Sequence, residues 1–134
     1  MSKLVARLLI CGHVLFSFSA NALELNGAWT TDAANCSKIF TIINGRVSMI
    51  RNSDVYGGGF IVEKDQIRGQ ARTCKINSRK EEAGVLRLVV FCSTEIAVLG
   101  TQQVDVRIDG DDQFTRIFPS FPDMGTTTYY RCKR

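Results

Sequence analysis

The stretch VDVRIDGDDQFTRIF, residues 104–118, is the segment of this chain that decides its expected fold. Its first six residues alternate between aliphatic and charged side chains, and this period of two predicts a half-buried β-strand. The residues that follow, Asp109-Gly110-Asp111-Asp112, are typical of a tight turn. Phe114–Phe118 then returns as a second strand. The stretch therefore predicts an antiparallel β-hairpin.

The same alternation of strand-like segments and turn signals continues on both sides of this hairpin. Ile39–Ile43 and Arg46–Arg51 enclose Asn44-Gly45, a dipeptide that suits the two positive-φ positions of a type I′ turn. Between Gly27, where the first strand is expected to begin, and Cys132, where the last is expected to end, we count eight or nine short strands. At most one brief helical turn is expected among them.

Short strands joined by hairpins predict an all-β fold in which consecutive strands pair as a meander. We expect a small antiparallel up-and-down β-barrel, because closure of the sheet leaves no exposed edge strand. A β-sandwich is the alternative architecture.

The first 22 residues have the features of a secretory signal peptide. Lys3 and Arg7 precede the apolar run Leu8–Phe18, and Ala20-Asn21-Ala22 is a small-x-small cleavage site. The apolar run is shorter than the roughly 20 residues that span a bilayer, although an uncleaved N-terminal anchor is the alternative. We expect cleavage after Ala22, a single domain at residues 23–134, and a location in the bacterial periplasm or outside the cell.

Four cysteines remain once Cys11 is removed with the leader, and an even number in a small exported domain predicts two disulfides. We favour Cys74–Cys92, because these residues flank a predicted hairpin whose charged turn is Ser78–Gly84. The second bridge is then Cys36–Cys132, which would join the start of the domain to its end. A zinc site is disfavoured, because the spacing of the cysteines lacks a C-x-x-C pair.

The only histidine, His13, lies in the predicted leader, so the mature chain would contain none. This argues against Ser-His-Asp and Cys-His catalysis and against most transition-metal sites. Removal of Lys3 and Arg7 lowers the net charge from +4 to +2, with the charges scattered, which argues against a nucleic-acid-binding protein. We expect a monomer that has no catalytic residues, no metal and no cofactor, and no membrane span after cleavage.

The segment Leu25–Asp32 contains Gly27-Ala28-Trp29, which resembles the G-x-W motif in the first strand of the calycins, the lipocalin and avidin-like barrels. The resemblance implies that Trp29 closes one end of the barrel and packs against a basic residue of the last strand, a position that Arg131 occupies. The T-D-x-x-Y motif of lipocalins is missing, and a single Trp cannot build the biotin cage of avidins. The alternative role for Trp29 is that of an ordinary core aromatic residue.

Three loops are candidates for a site. Phe118–Gly125 contains Phe118, Phe121 and Met124, which could form the lip of a pocket or a patch for a partner. We favour the interpretation that this loop folds back to cap the barrel. Tyr56, at the start of a triple-glycine segment, could belong to a mobile lid, although a flexible hairpin loop is favoured.

The third loop is the acidic turn 109–112, where a calcium site is less favoured than a solvated turn, because the remaining ligands of a calcium loop are missing. From these residues we expect an exported binding protein that holds a small apolar ligand or inhibits a secreted enzyme, as bacterial lysozyme inhibitors of similar architecture do. The alternative is an accessory protein of the cell envelope that acts through a protein-binding surface. Whether the barrel encloses a cavity is left open, because an interior filled by side chains is equally compatible with the pattern.

Overall fold

The computed structural model describes residues 22–133. The predicted leader therefore lies outside the described residues except for Ala22, and Cys11 and His13 lie outside them as well. One short α-helix and ten strands follow in chain order: β1 (Gly27–Thr30), α1 (Cys36–Ile39), β2 (Phe40–Ile43), β3 (Arg46–Met49), β4 (Gly59–Glu63), β5 (Gln66–Arg68), β6 (Thr73–Glu82), β7 (Val85–Ser93), β8 (Val98–Gly110), β9 (Gln113–Ile117) and β10 (Thr127–Cys132). Three short 3₁₀ helices cover Ala33–Asn35, Ser53–Tyr56 and Pro122–Met124.

Eight of these strands close into one antiparallel barrel in the order β1-β10-β9-β8-β7-β6-β5-β4. The barrel closes where β1 pairs with both β4 and β10, so the first and last strands are direct neighbours. The predicted all-β barrel is thus confirmed. Val104, Val106 and Ile108 of β8 face the core, as their alternation predicted.

The Asn44-Gly45 hairpin forms as predicted, with both turn residues at positive φ, but it is not part of the barrel. β2 and β3 make a separate two-stranded sheet that packs against the outer surface of β1 and β4. Ile39, Phe40 and Val47 form an outer apolar cluster with Ala28 and Ile61, which are barrel residues that face outward. Phe40 and Val47 of the hairpin pack against the barrel, whereas Ile42 and Ile43 are exposed.

The hairpin of β6 and β7 is longer than the sequence predicted. The charged run 79–82 lies within β6 rather than in a turn, and the reversal is made by Ala83 and Gly84 alone, both at positive φ. Charged residues are compatible with this strand because its last residues are exposed, so β6 extends beyond the apolar core.

Both predicted disulfides are present and confirm the proposed pairing. Cys74 and Cys92 are directly opposite each other on β6 and β7, with a Cα–Cα distance of 4.0 Å. Cys36 and Cys132 join α1 to β10, with a Cα–Cα distance of 5.7 Å. The second bridge does not close the barrel, since β1 and β10 already pair through their backbones. It fastens α1, which precedes the outer hairpin, to the barrel wall.

None of the helices within residues 22–133 has the length and the hydropathy needed to cross a membrane.

Candidate ligand-binding site

The interior of the barrel contains a cavity of about 350 Å³ that opens at one end. Most of its wall is apolar and comes from inward-facing side chains of seven strands, β4 to β10, among them Phe60, Val62, Leu88, Val90, Val104 and Val106. The space exists because valines and the Cys74–Cys92 bridge occupy much of the wall, whereas the larger aromatic side chains gather toward one end. An eight-stranded barrel can be filled by its own side chains or enclose a cavity large enough for a small molecule. The side chains of this barrel leave a cavity.

Four aromatic side chains pack together at the closed end of the cavity: Trp29, Phe60, Phe114 and Tyr129. The rings of Trp29 and Phe114 have their centroids 4.7 Å apart, and the ring of Tyr129 lies 5.0 Å from Phe60 and 5.4 Å from Phe114. Trp29 is fully buried and donates its indole N–H to the carbonyl of Leu25 at 2.8 Å. This end of the barrel is therefore tightly packed and closed.

Arg131 packs against the closed end of the barrel. Its guanidinium carbon lies 4.2 Å from the centroid of the Trp29 ring, in the position that the calycin resemblance implied. The same group donates hydrogen bonds to the carbonyls of Glu24 and Asn26 and pairs with Asp112 at 3.0 Å. The segment before β1 is thereby held across the barrel end, with Leu23 and Leu25 buried beneath it.

Two carboxylates of the acidic turn at this end, Asp109 and Asp112, form ion pairs with basic side chains of the chain itself. Asp112 receives hydrogen bonds from Lys133 and Arg131, and these keep the pKa of its carboxyl below the usual value. Thr115 and Arg107 donate to Asp109 and lower the pKa of that carboxyl in the same way. Among the described residues, no three His, Cys, Asp or Glu side chains come together as a metal site requires.

The open end of the barrel is where β1, β5, β7 and β9 finish, because alternate strands of an antiparallel barrel run in the same direction. Gly58 and Gly59 line the cavity at this mouth. Backbone and hydroxyl hydrogen bonds tie Gly58 to Thr31, and a Cβ at Gly59 would lie only 3.1 Å from side-chain atoms of Ile39 and Phe40. Gly58 and Gly59 are thus in close contact with Thr31, Ile39 and Phe40.

Tyr56 lies outside the cavity. It ends a 3₁₀ turn that covers residues 53–56, and its ring packs beneath Lys38, whose ammonium nitrogen is 5.2 Å from the ring centroid. Its side chain is exposed on the outer face. Of the predicted lip residues, Tyr56 is therefore separate from the mouth.

The loop between β9 and β10 stands at the mouth but does not cap it. Phe121 and Met124 are each 63% exposed, and neither lines the cavity. The expectation that the loop folds back over the opening is therefore wrong for these two side chains. Phe118 lies closer to the barrel, with the guanidinium carbon of Arg116 at 4.7 Å from its ring centroid.

Three polar side chains that the sequence did not indicate as site residues line the cavity toward its mouth: Arg72, Gln102 and Arg116. Arg116 lies on β9 two residues beyond Phe114, so both side chains share the inner face of the strand. That spacing was visible in the predicted strand Phe114–Phe118. The spacing does not show which face of the strand turns toward the barrel interior, because Ile117 on the opposite face is also apolar and half-buried.

These features define a class of protein: a small eight-stranded antiparallel β-barrel, bridged by two disulfides, with an apolar cavity open at one end. Disulfides of this kind are typical of proteins in oxidising, exported environments. Comparison with protein-family models, curated proteins and solved structures finds no match to this chain.

Proposed function

We propose that this chain is an exported, non-catalytic binding protein that holds a small apolar ligand inside its barrel. The observation that carries the proposal is the cavity itself, with about 350 Å³ of space behind a largely apolar wall. Cavities of about 300–1,000 Å³ with apolar walls and a few polar groups are typical of small-molecule sites. The two disulfides support a location in the periplasm or outside the cell, and the Gly27-x-Trp29 resemblance to calycins agrees with a carrier role.

Filling the cavity with a larger side chain is expected to abolish ligand binding. N-phenyl-1-naphthylamine is a neutral, apolar probe whose fluorescence rises in a dry environment, and it should bind with one probe per chain. Val104→Phe places a ring in the cavity and should weaken probe binding by at least about 10-fold, because the probe would have to displace packed side-chain atoms. A fluorescence titration at constant protein concentration measures the affinity of the probe for the original protein and for the variant.

Val89→Phe is the matched control, because Val89 lies on the neighbouring strand β7 and faces away from the core. Its affinity for the probe should stay within about two-fold of the original protein, well under 1 kcal/mol of binding free energy. Absence of saturable binding, or equal loss in both variants, would refute a ligand site inside the barrel.

A second candidate function, a protein-binding surface, is favoured by apolar side chains exposed around the mouth. Ile96 and Val98, near the turn between β7 and β8, are 96% and 73% exposed, and Phe121 and Met124 project from the neighbouring loop at the same end. Exposed apolar residues that cluster in this way mark contact surfaces in many proteins. A partner could be a secreted enzyme or a component of the envelope.

The double variant Phe121→Asp, Met124→Asp separates the two candidates. If the mouth is a protein-binding surface, this variant should lose a partner that co-purifies with the original chain, because two charges would have to be buried without counterions. Its affinity for N-phenyl-1-naphthylamine should be unchanged. A partner that is retained at full occupancy would eliminate this surface as the contact.

A further inference from the structure

We propose that the ligand is an anionic amphiphile, an apolar molecule with a carboxylate or an equivalent singly charged head that Arg116 binds at the mouth end of the cavity. This inference rests on the proposed function, since it names the chemistry of the ligand in the same cavity.

The charges along the cavity wall are of one sign. Arg72 and Arg116 are the only charged side chains among the described residues that line it, and no Asp or Glu does. Gln102 adds a neutral amide that can donate further hydrogen bonds. A ligand head in this region would therefore meet two positive charges and one uncharged donor, which is a setting that favours an anion.

Arg116 has an unsatisfied donor. Its Nε–H is buried and has no hydrogen-bond partner within residues 22–133. By contrast, five arginines elsewhere form ion pairs with carboxylates: Arg46, Arg68, Arg87, Arg107 and Arg131. A buried donor that lacks a partner is unfavourable, and one on a charged group is more so. A carboxylate oxygen from a ligand would satisfy this donor.

The planar guanidinium also matches a carboxylate in shape, because Nε–H and a terminal N–H can bind the two oxygens together. The guanidinium carbon also lies 4.7 Å from the centroid of the Phe118 ring. Contact with this ring helps to hold the guanidinium in a fixed orientation. The remaining donors are thus left available to a ligand.

The apolar part of the ligand would extend from Arg116 toward the aromatic floor. Arg116 is opposite Val106 on β8 and lies on the same face as Phe114, so the path from the charge to the closed end is lined by apolar side chains. A volume of about 350 Å³ corresponds to about a dozen water-sized groups. Decanoate is therefore a suitable probe, and 1-decanol is the matched neutral molecule.

The test compares the affinities of decanoate and 1-decanol by displacement of N-phenyl-1-naphthylamine at neutral pH. The original protein should bind decanoate at least about 10-fold more tightly than 1-decanol. Arg116→Gln should weaken decanoate binding by about 10- to 100-fold, the effect of losing hydrogen bonds to a charged group, and leave 1-decanol within about two-fold. Arg116→Lys, which keeps the charge but not the fork of donors, should give an intermediate loss for decanoate.

Arg46→Gln is the matched control, because Arg46 is an exposed, ion-paired arginine on the outer hairpin, and both affinities should be unchanged. Circular dichroism establishes that each variant is folded, and Arg116→Lys carries the test if Arg116→Gln is not. Equal affinities of the original protein for decanoate and 1-decanol would overturn the inference but leave an apolar ligand site intact. A preference for decanoate that survives in both Arg116 variants would also overturn it. Binding of neither molecule, nor of the probe, would refute the proposed function itself.

Discussion

Trp29→Ala is expected to lower the free energy of unfolding by about 3–5 kcal/mol, the cost of replacing a large buried aromatic residue by alanine. Trp29 is fully buried at the closed end of the barrel, where it packs against Phe114 and Arg131. The substitution also leaves the carbonyl of Leu25 without the indole donor. Urea unfolding followed by circular dichroism measures the change, since the variant has no tryptophan fluorescence.

Phe91→Ala is the control for this substitution, because Phe91 is an aromatic residue on β7 whose side chain is 43% exposed. Its removal should cost less than about 1 kcal/mol. If Trp29→Ala cost no more than Phe91→Ala, the closed end would not depend on the tryptophan. Trp29 would then be an ordinary core residue whose neighbours can repack.

Removal of the Cys36–Cys132 bridge is expected to lower the free energy of unfolding by about 4–5 kcal/mol. The bridge joins residues 96 positions apart, and a crosslink over a loop of about 100 residues restricts the unfolded chain by about that amount in the loop-entropy model. The native state also loses the attachment of α1 to β10. Urea unfolding of the Cys36→Ala, Cys132→Ala double variant measures the effect.

The Cys74–Cys92 bridge provides the internal comparison, because it closes a loop of only 18 positions. Its removal by Cys74→Ala and Cys92→Ala should cost about 3 kcal/mol from loop entropy. The long-loop variant should therefore be the less stable of the two. The reverse order would mean that local packing of the inner bridge, rather than restriction of the unfolded chain, dominates the contribution of the disulfides.

Much of the barrel could be predicted from the sequence because the hydrophobic pattern of a strand indicates which of its faces is buried. The alternation over residues 104–109 marks an inner and an outer face, and the cysteine pairing follows from the hairpin that joins β6 and β7. The position of the β2–β3 hairpin could not be predicted, because Asn44-Gly45 specifies a turn but not the surface against which the hairpin packs. The outer cluster that holds it depends on Ala28 and Ile61, which are paired with each other on β1 and β4 and face outward from the barrel.

The candidate site was less predictable than the fold. A cavity is a difference between enclosed volume and side-chain volume, so it depends on how the strands tilt and on which residues share a level of the barrel. In the sequence, Arg116 is one charged residue within the strand-like segment Phe114–Phe118, and nothing local indicates that its guanidinium lacks a carboxylate partner. The predicted lip residues Phe121 and Met124 lie in the loop at the open end of the barrel, yet both side chains are exposed and neither lines the cavity.

An NMR titration of methyl groups with decanoate tests most directly whether the ligand site lies inside the barrel. Val62, Val90, Val104 and Val106 line the cavity, whereas Val55 and Val98 are 77% and 73% exposed on the surface. Binding inside the barrel predicts saturable shifts in the methyl signals of the four cavity valines, with those of Val55 and Val98 unchanged. Shifts confined to the exposed valines, or no shifts at all, would contradict a ligand site in the barrel.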